Sequence, residues 1–293
     1  MRHFSAGRLI GVLAMLLPVV ALLSLTVGTV SISWVEALRA VVGSSSTTQI
    51  DTILFDIRLP RILLAIFVGA VLATTGAVMQ GLFRNPLADP SLIGVSSGAS
   101  VGASLMIVTA GGFIQGGALV GLSLVSIGAF VGGFTATLLV YRLATSGMGT
   151  SVTTMLLAGI AIGALAGALN SLLSYFSDND MLRQISLWQM GNLSGASWLK
   201  VSIMGAVTIL LMGLFPRDSR ALNALLLGES EARHLGINVQ WVKRRLIVLT
   251  ALGVGVSVAV AGLVGFVGLI MPHIIRLMIG PDHRWLIPAS GLA

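Results

Sequence analysis

Continuous apolar runs dominate the chain, with strict polar–apolar alternation nowhere evident. They fall at residues 9–30, 62–82, 92–110, 118–141, 152–176, 198–215, 246–262 and 264–280, and a ninth begins near Trp285 and stops at Ala293. A helix needs about 20 apolar residues to cross about 30 Å of hydrocarbon, and a membrane β-barrel strand would alternate with a period of two. The pattern predicts an all-α polytopic membrane protein, one transmembrane domain over residues 1–293 with about eight full spans and a partial ninth. Arg2 and Arg8 flank the first run as in a signal peptide, yet no A-x-A-like site follows at VGTVSIS, so the run is read as a retained span.

Punctuation agrees with these limits. In ADPSLIG, Asp89 can cap a helix whose first residue is Pro90, where a missing N–H costs nothing. Pro60 is placed to start the second span in the same way, and Gly280-Pro281 stops the eighth. Small residues recur four apart at Gly98/Gly102, Gly117/Gly121, Gly128/Gly132 and Gly163/Gly167. That spacing lets helix backbones approach closely, and packing within one bundle is preferred here over a dimerisation face.

The longest polar interruption covers residues 216–245. Within it DSRALNALLLG reads as a short helix with Asp218 or Ser219 at its N-cap and Gly228 near its end, and ESEARHLG as a second ended by Gly236. Two capped helices in one loop predict an ordered knob and not a plain solvated connection, because long ordered loops tend to carry function.

Composition changes the picture in two ways. Only 9% of residues are charged, against about 25% in a soluble domain, and mean hydropathy is +1.00, so lipid must be the surrounding solvent. Cysteine is absent, which excludes disulfides and thiolate metal sites. The net charge of +7 does not imply nucleic acid, because the basic residues sit between apolar runs and not on one face. With a cytoplasmic N-terminus and alternating spans, Arg2, Arg8, Arg84, Arg142, Arg217, Arg220, Arg233, Lys243, Arg244, Arg245, Arg276 and Arg284 fall inside. Arg39, Arg58, Arg61, Arg183 and Lys200 fall outside; the inward bias supports that orientation.

No engine is visible. All ten acidic residues lie in loops or at span ends, which argues against a proton relay but not against sodium bound by hydroxyls and broken-helix carbonyls. The two lysines, Lys200 and Lys243, follow Leu199 and Val242, so no G-x-x-x-x-G-K-[ST] phosphate loop exists and the chain is not expected to be an enzyme. If ATP drives it, a separate chain burns the ATP and needs a cytoplasmic handle such as 218–236. His273, after Pro272 in the eighth span, is read as satisfying a kinked backbone and not as a haem ligand.

The stretches IRLPRILLAIFVGAVLATTGAVMQGLFRNPLADPSLIGVSSGAS (57–100), WQMGNLSGASW (188–198), LLLGESEARHLGINV (225–239) and GFVGLIMPHIIRLMIGPDHR (265–284) resemble the FecCD-type permeases of type II ABC importers, which take up haem, ferric siderophores and cobalamin. The resemblance implies a ten-helix fold, a homodimer around a central path, two ATP-binding subunits below and a periplasmic binding protein above, in a bacterial inner membrane. It implies no cofactor or metal on this chain; ATP and Mg belong to the partner subunit. It places Gly228, Glu229, Ala232, Arg233, Leu235 and Gly236 in helices that contact the ATPase. It gives Arg58 and Arg61 to docking of the binding protein, and it makes Asn85 and Leu87 one cytoplasmic gate and Ser151, Val152 and Thr153 the other. Against that family the chain ends inside its ninth helix, roughly forty residues early by analogy. FRNPLADPSLIGVSSGAS and ALNALLLGESEARHLGI look most like haem-uptake members, so haem is the expected cargo, then a ferric siderophore, then cobalamin. An ion-gradient-driven carrier and a non-transporting scaffold are the competing classes.

Overall fold

In the computed structural model the apolar runs are helices. It describes residues 5–28, 30, 32–41, 48–109, 118–147 and 149–293. In chain order the helices are α1 (Ala6–Thr26), α2 (Trp34–Val41), α3 (Thr48–Asp51), α4 (Leu59–Leu82), α5 (Val95–Thr109), α6 (Ala118–Ala144), α7 (Val152–Tyr175), α8 (Asn179–Gln189), α9 (Trp198–Leu214), α10 (Ser219–Leu227), α11 (Glu229–His234), α12 (Val239–Ala261), α13 (Val267–Ile279) and α14 (His283–Leu292). Strands β1 (Thr145–Ser146) and β2 (Gly149–Thr150) form a small antiparallel hairpin between α6 and α7.

Among the described residues, six helical stretches are long and apolar enough to cross a bilayer: Ala6–Thr26, Gln49–Leu82, Leu124–Ala144, Val152–Tyr175, Trp198–Leu227 and Val239–Ala261. The runs predicted at 92–110 and 264–280 become shorter apolar helices, α5 and α13. Both are broken at their starts. Asp89 caps a 3-10 turn at Pro90–Ile93 by accepting from the Ser91 N–H at 2.7 Å, and Gly94 at φ +83 ends that turn before α5 begins. Phe266 takes a left-handed φ of 65 immediately before α13.

Pro60 stands in the first turn of α4, as expected, but that helix does not begin from a loop. The backbone is already helical from Thr48, and Thr52–Arg58 is wound with π register. The Leu59 N–H donates to the Leu54 carbonyl, five residues back. The π register just before Pro60, which has no N–H to donate, lets the helix continue past the proline.

Helix α4 is the axis of the bundle, buried almost continuously from Ala70 to Leu82 and packed by α9, α12, α13 and α14. Helices α1 and α7 are the opposite case: α1 buries only Leu9, and α7 buries little beyond Met155, Gly159 and Ala166. Their outward faces are apolar and suited to lipid or a second subunit.

For two of the four pairs, Gly98/Gly102 and Gly128/Gly132, the glycine spacing is explained inside one chain. A Cβ on Gly102 would lie 2.0 Å from the Gly128 carbonyl oxygen, and one on Gly98 would lie 2.3 Å from that of Gly132, so α5 and α6 pack backbone to backbone. Gly117 lies outside the described residues, and Gly167 has nothing within 4 Å of its Cβ position. A polar clasp ties α5 to α7: Ser104 Oγ donates to Asn170 Oδ1 at 2.7 Å, and Asn170 Nδ2 donates to Ser100 Oγ at 3.1 Å.

Candidate functional site

The 216–245 segment folds into the two expected helices, α10 and α11, turned against each other at Gly228. That residue has φ +131 and serves both as C-cap of α10 and as N-cap of α11, a conformation that a side chain would strain. Gly236, at φ +81, ends the knob. Asp218 occupies the N-cap position of α10 without making a capping bond. Its carboxylate instead lies 3.4 Å from Arg245, and burial lifts it above the usual carboxylate range despite that partner.

The six residues assigned to ATPase contact divide by direction. Gly228 and Gly236 set the shape. Ala232 is fully buried against the bundle, and the Glu229 carboxylate turns inward to accept from Lys243 Nζ at 2.6 Å. Arg233 and Leu235 point outward, joined by exposed Leu226 and Leu227. Arg233 stays within 3.6 Å of Glu229 one turn away.

A second anchor holds α10. Asn223 Nδ2 donates to Asp282 Oδ1 at 2.6 Å, while its Oδ1 accepts from the His283 backbone N–H at 2.9 Å and from Nδ1 at 2.8 Å. These bonds fix the ring proton on Nδ1. Nε2 is buried and makes no hydrogen bond of normal geometry; it faces α4, where the Ala77 carbonyl acts on the ring and a Cβ on Gly81 would lie 2.3 Å from it. The GPDHR stretch is therefore a socket for the knob, built by the turn at Gly280 (φ +90) and the Asp282 cap of α14.

The first gate residues sit in an exposed turn after α4. Asn85 Oδ1 accepts from the Leu87 N–H at 2.9 Å, and Leu87 is 64% exposed. The second gate begins α7: Ser151 is its N-cap, accepting from the Thr154 N–H at 3.3 Å, with Val152 and Thr153 in the first turn. No hydrogen bond joins the two gates among the described residues. The residue before the second gate is instead tied to α12, because Thr150 donates its N–H to Gln240 Oε1 at 2.9 Å and its carbonyl accepts from Lys243 Nζ at 2.7 Å.

Arg58 and Arg61 separate. The Arg58 guanidinium folds back onto the carbonyls of Leu25 and Val30, closing the end of α1. Arg61 is exposed on a cavity of about 480 Å³ shared with Asn192, Ser194 and Val264. His273 does not serve the Pro272 kink through Nδ1, which is buried without a partner. Sequence reasoning missed Lys243, Gln240 and Asn223: the first two reach from α12 to the knob and the hairpin, and the third ties α10 to the start of α14.

An α-helical polytopic bundle with an ordered two-helix knob defines a multi-pass membrane protein. Residues 16–293 match the model of the FecCD transport family, and the chain belongs to that family of ABC importer permeases. It is 43% identical over 97% of its length to the hemin transport system permease of Yersinia pestis, covering 83% of that protein. It is 40% identical over 96% of its length to a vitamin B12 import system permease of Salmonella schwarzengrund, covering 81% of it. Among solved structures, an inward-facing metal-chelate type ABC transporter superposes with a TM-score of 0.83 at 33% identity, over 98% of this chain and 86% of that one.

Proposed function

We propose that this protein is the membrane subunit of an ATP-driven importer that carries haem from periplasm to cytoplasm. It works as a homodimer in the inner membrane, N-terminus inside, on two ATP-binding subunits that hold ATP and Mg and below a periplasmic binding protein. The observation that carries the reading is the knob. Its helices are locked to the bundle through Lys243, Asp282 and His283, while Leu226, Leu227, Arg233 and Leu235 face outward. A rigid element with an apolar outer patch suits a partner that must push on the bundle. Asn85 and Leu87, with Ser151, Val152 and Thr153, close the inner end of the path. The chain performs no covalent step; it alternates access as the partner subunits close and part.

Haem is favoured by the 43% identity to a hemin permease. Cobalamin is the second reading, favoured by the 40% identity to a vitamin B12 permease. Reconstitution tests both. In vesicles holding the permease, its ATP-binding subunits and the binding protein, haem entry is expected to require ATP and to ignore ionophores. Uptake that collapses with the proton or sodium gradient overturns the ATP-driven reading, and entry of cobalamin in place of haem selects the second cargo.

Docking of the binding protein rests on Arg61. Arg61→Glu is expected to weaken its association about tenfold at low salt and less at high salt, where screening shortens the reach of charge. Arg58→Ala is expected to lower thermal stability and leave that association unchanged, because its guanidinium serves α1. Titrations at two ionic strengths check both.

A further inference from the structure

We propose that Lys243 is a positioning residue that transmits movement of the knob to the second gate. The inference rests on the coupling role proposed for α10 and α11.

Lys243 is 2% exposed, yet it stands in the second turn of α12 beside two groups from different parts of the chain. Its ammonium donates to Glu229 Oε1 at 2.6 Å and to the Thr150 carbonyl at 2.7 Å. Glu229 is the first residue of α11, and Thr150 is the last residue of the β-hairpin. One nitrogen therefore bridges the knob and the hairpin.

The hairpin end is held tightly. Thr150 is 4% exposed, and Gln240, three residues before Lys243 and on the same side of α12, accepts its N–H. Both backbone polar groups of Thr150 are thus spent on α12 side chains. The next residue, Ser151, donates its N–H to the Ala144 carbonyl at 2.9 Å and caps α7. Displacement of Thr150 moves the N-cap of α7, which is the second gate.

The bond to Glu229 is the link that resists breaking. Withdrawing the carboxylate from a buried ammonium leaves a charge without compensation, which is strongly destabilising. A push on α11 is therefore passed through Nζ to Thr150. The apolar contact at Ala232 ties α11 to the bundle generally, whereas the lysine bond singles out the gate.

The test uses the whole importer in lipid nanodiscs. The chain has no cysteine, so Ser230→Cys on α11 and Gly147→Cys in the hairpin can each carry one spin label, read as the distance between the two copies. In the otherwise native protein both distances are expected to shift between the nucleotide-free and ATP–vanadate states. With Lys243→Met, the Ser230 site should still shift while the shift at the Gly147 site falls to less than half. Lys243→Arg, which keeps both donors, should restore it. An undiminished Gly147 shift in Lys243→Met overturns the proposal. If Lys243→Met does not assemble, Glu229→Gln gives the same readout: a reduced Gly147 shift supports the link, and an unchanged one overturns it. A Ser230 site that fails to move in the native background overturns the coupling reading itself, and the link with it.

Discussion

Gly76→Leu is expected to leave little folded permease, whereas Gly69→Leu should be recovered at the native level. The two glycines lie seven residues apart on α4, nearly on one face and about 10 Å apart in depth. A Cβ at Gly76 would sit 1.8 Å from the Gly268 carbonyl oxygen and 2.6 Å from its carbon, while Gly69 has nothing within 4 Å. The obstacle at Gly76 is the backbone of α13, so no rotamer relieves it and the two helices must part. Overpacking costs about 1–3 kcal/mol and occasionally more, and a backbone clash belongs at or above the top of that range. Lipid offers no compensating hydrophobic gain, since separated helices are simply solvated by chains as apolar as leucine. Recovery on size exclusion and the melting temperature in detergent check the pair. Equal recovery of the two variants would mean that α4 and α13 do not touch there.

The same contrast marks what the sequence made legible. Hydrocarbon thickness dictates long apolar helices, so the runs located them, and Gly228 and Gly236 bounded the knob because only glycine is comfortable at their positive φ. Depth was not legible. Gly69 and Gly76 look alike in sequence; they differ because α13 starts only at Val267, where a Cβ on Gly268 would already meet Pro90 Cγ at 2.9 Å. Helix α12 begins at Val239, well before the predicted 246, because Lys243, Arg244 and Arg245 interrupt the apolar run without interrupting the helix. Their charges are tolerated there since Lys243 meets Glu229, Arg245 meets Asp218 and Arg244 is exposed. Helix α8 carries no apolar run and left no mark on the hydrophobic pattern. Arg58 counted as an outside positive, yet its partners are carbonyls some thirty residues away, which no spacing rule reveals.

The socket at His283 is expected to make the fold acid-sensitive near neutrality. Burial, and then the nearby Arg276, push the imidazole down to about 4, with Asp282 and the Ala77 carbonyl opposing weakly. In the unfolded chain the same ring titrates near 6.5, so between those values the unfolded state binds a proton that the folded state refuses. The stabilisation is fully present above about pH 6.5 and is lost progressively as pH falls toward 4. A shift of this size corresponds to about 3 kcal/mol. Asp282 acts in another window: burial raises its carboxyl, but the Asn223 amide and the Arg284 N–H and guanidinium outweigh that and hold it below the usual carboxylate range, so its loss comes at lower pH. Asp218, raised by burial, opposes the trend, since the folded state takes up its proton more readily. Melting temperatures in detergent from pH 7.5 to about 4.5 should therefore fall steeply in the native protein and more gently in His283→Gln. That variant keeps a donor for Asn223 but cannot take up a proton, and it should melt lower at pH 7.5 where the native socket is intact. A native protein with no slope across that range, or a slope unchanged in His283→Gln, would mean that the ring is reached by water and that α10 is not seated on a neutral, buried histidine.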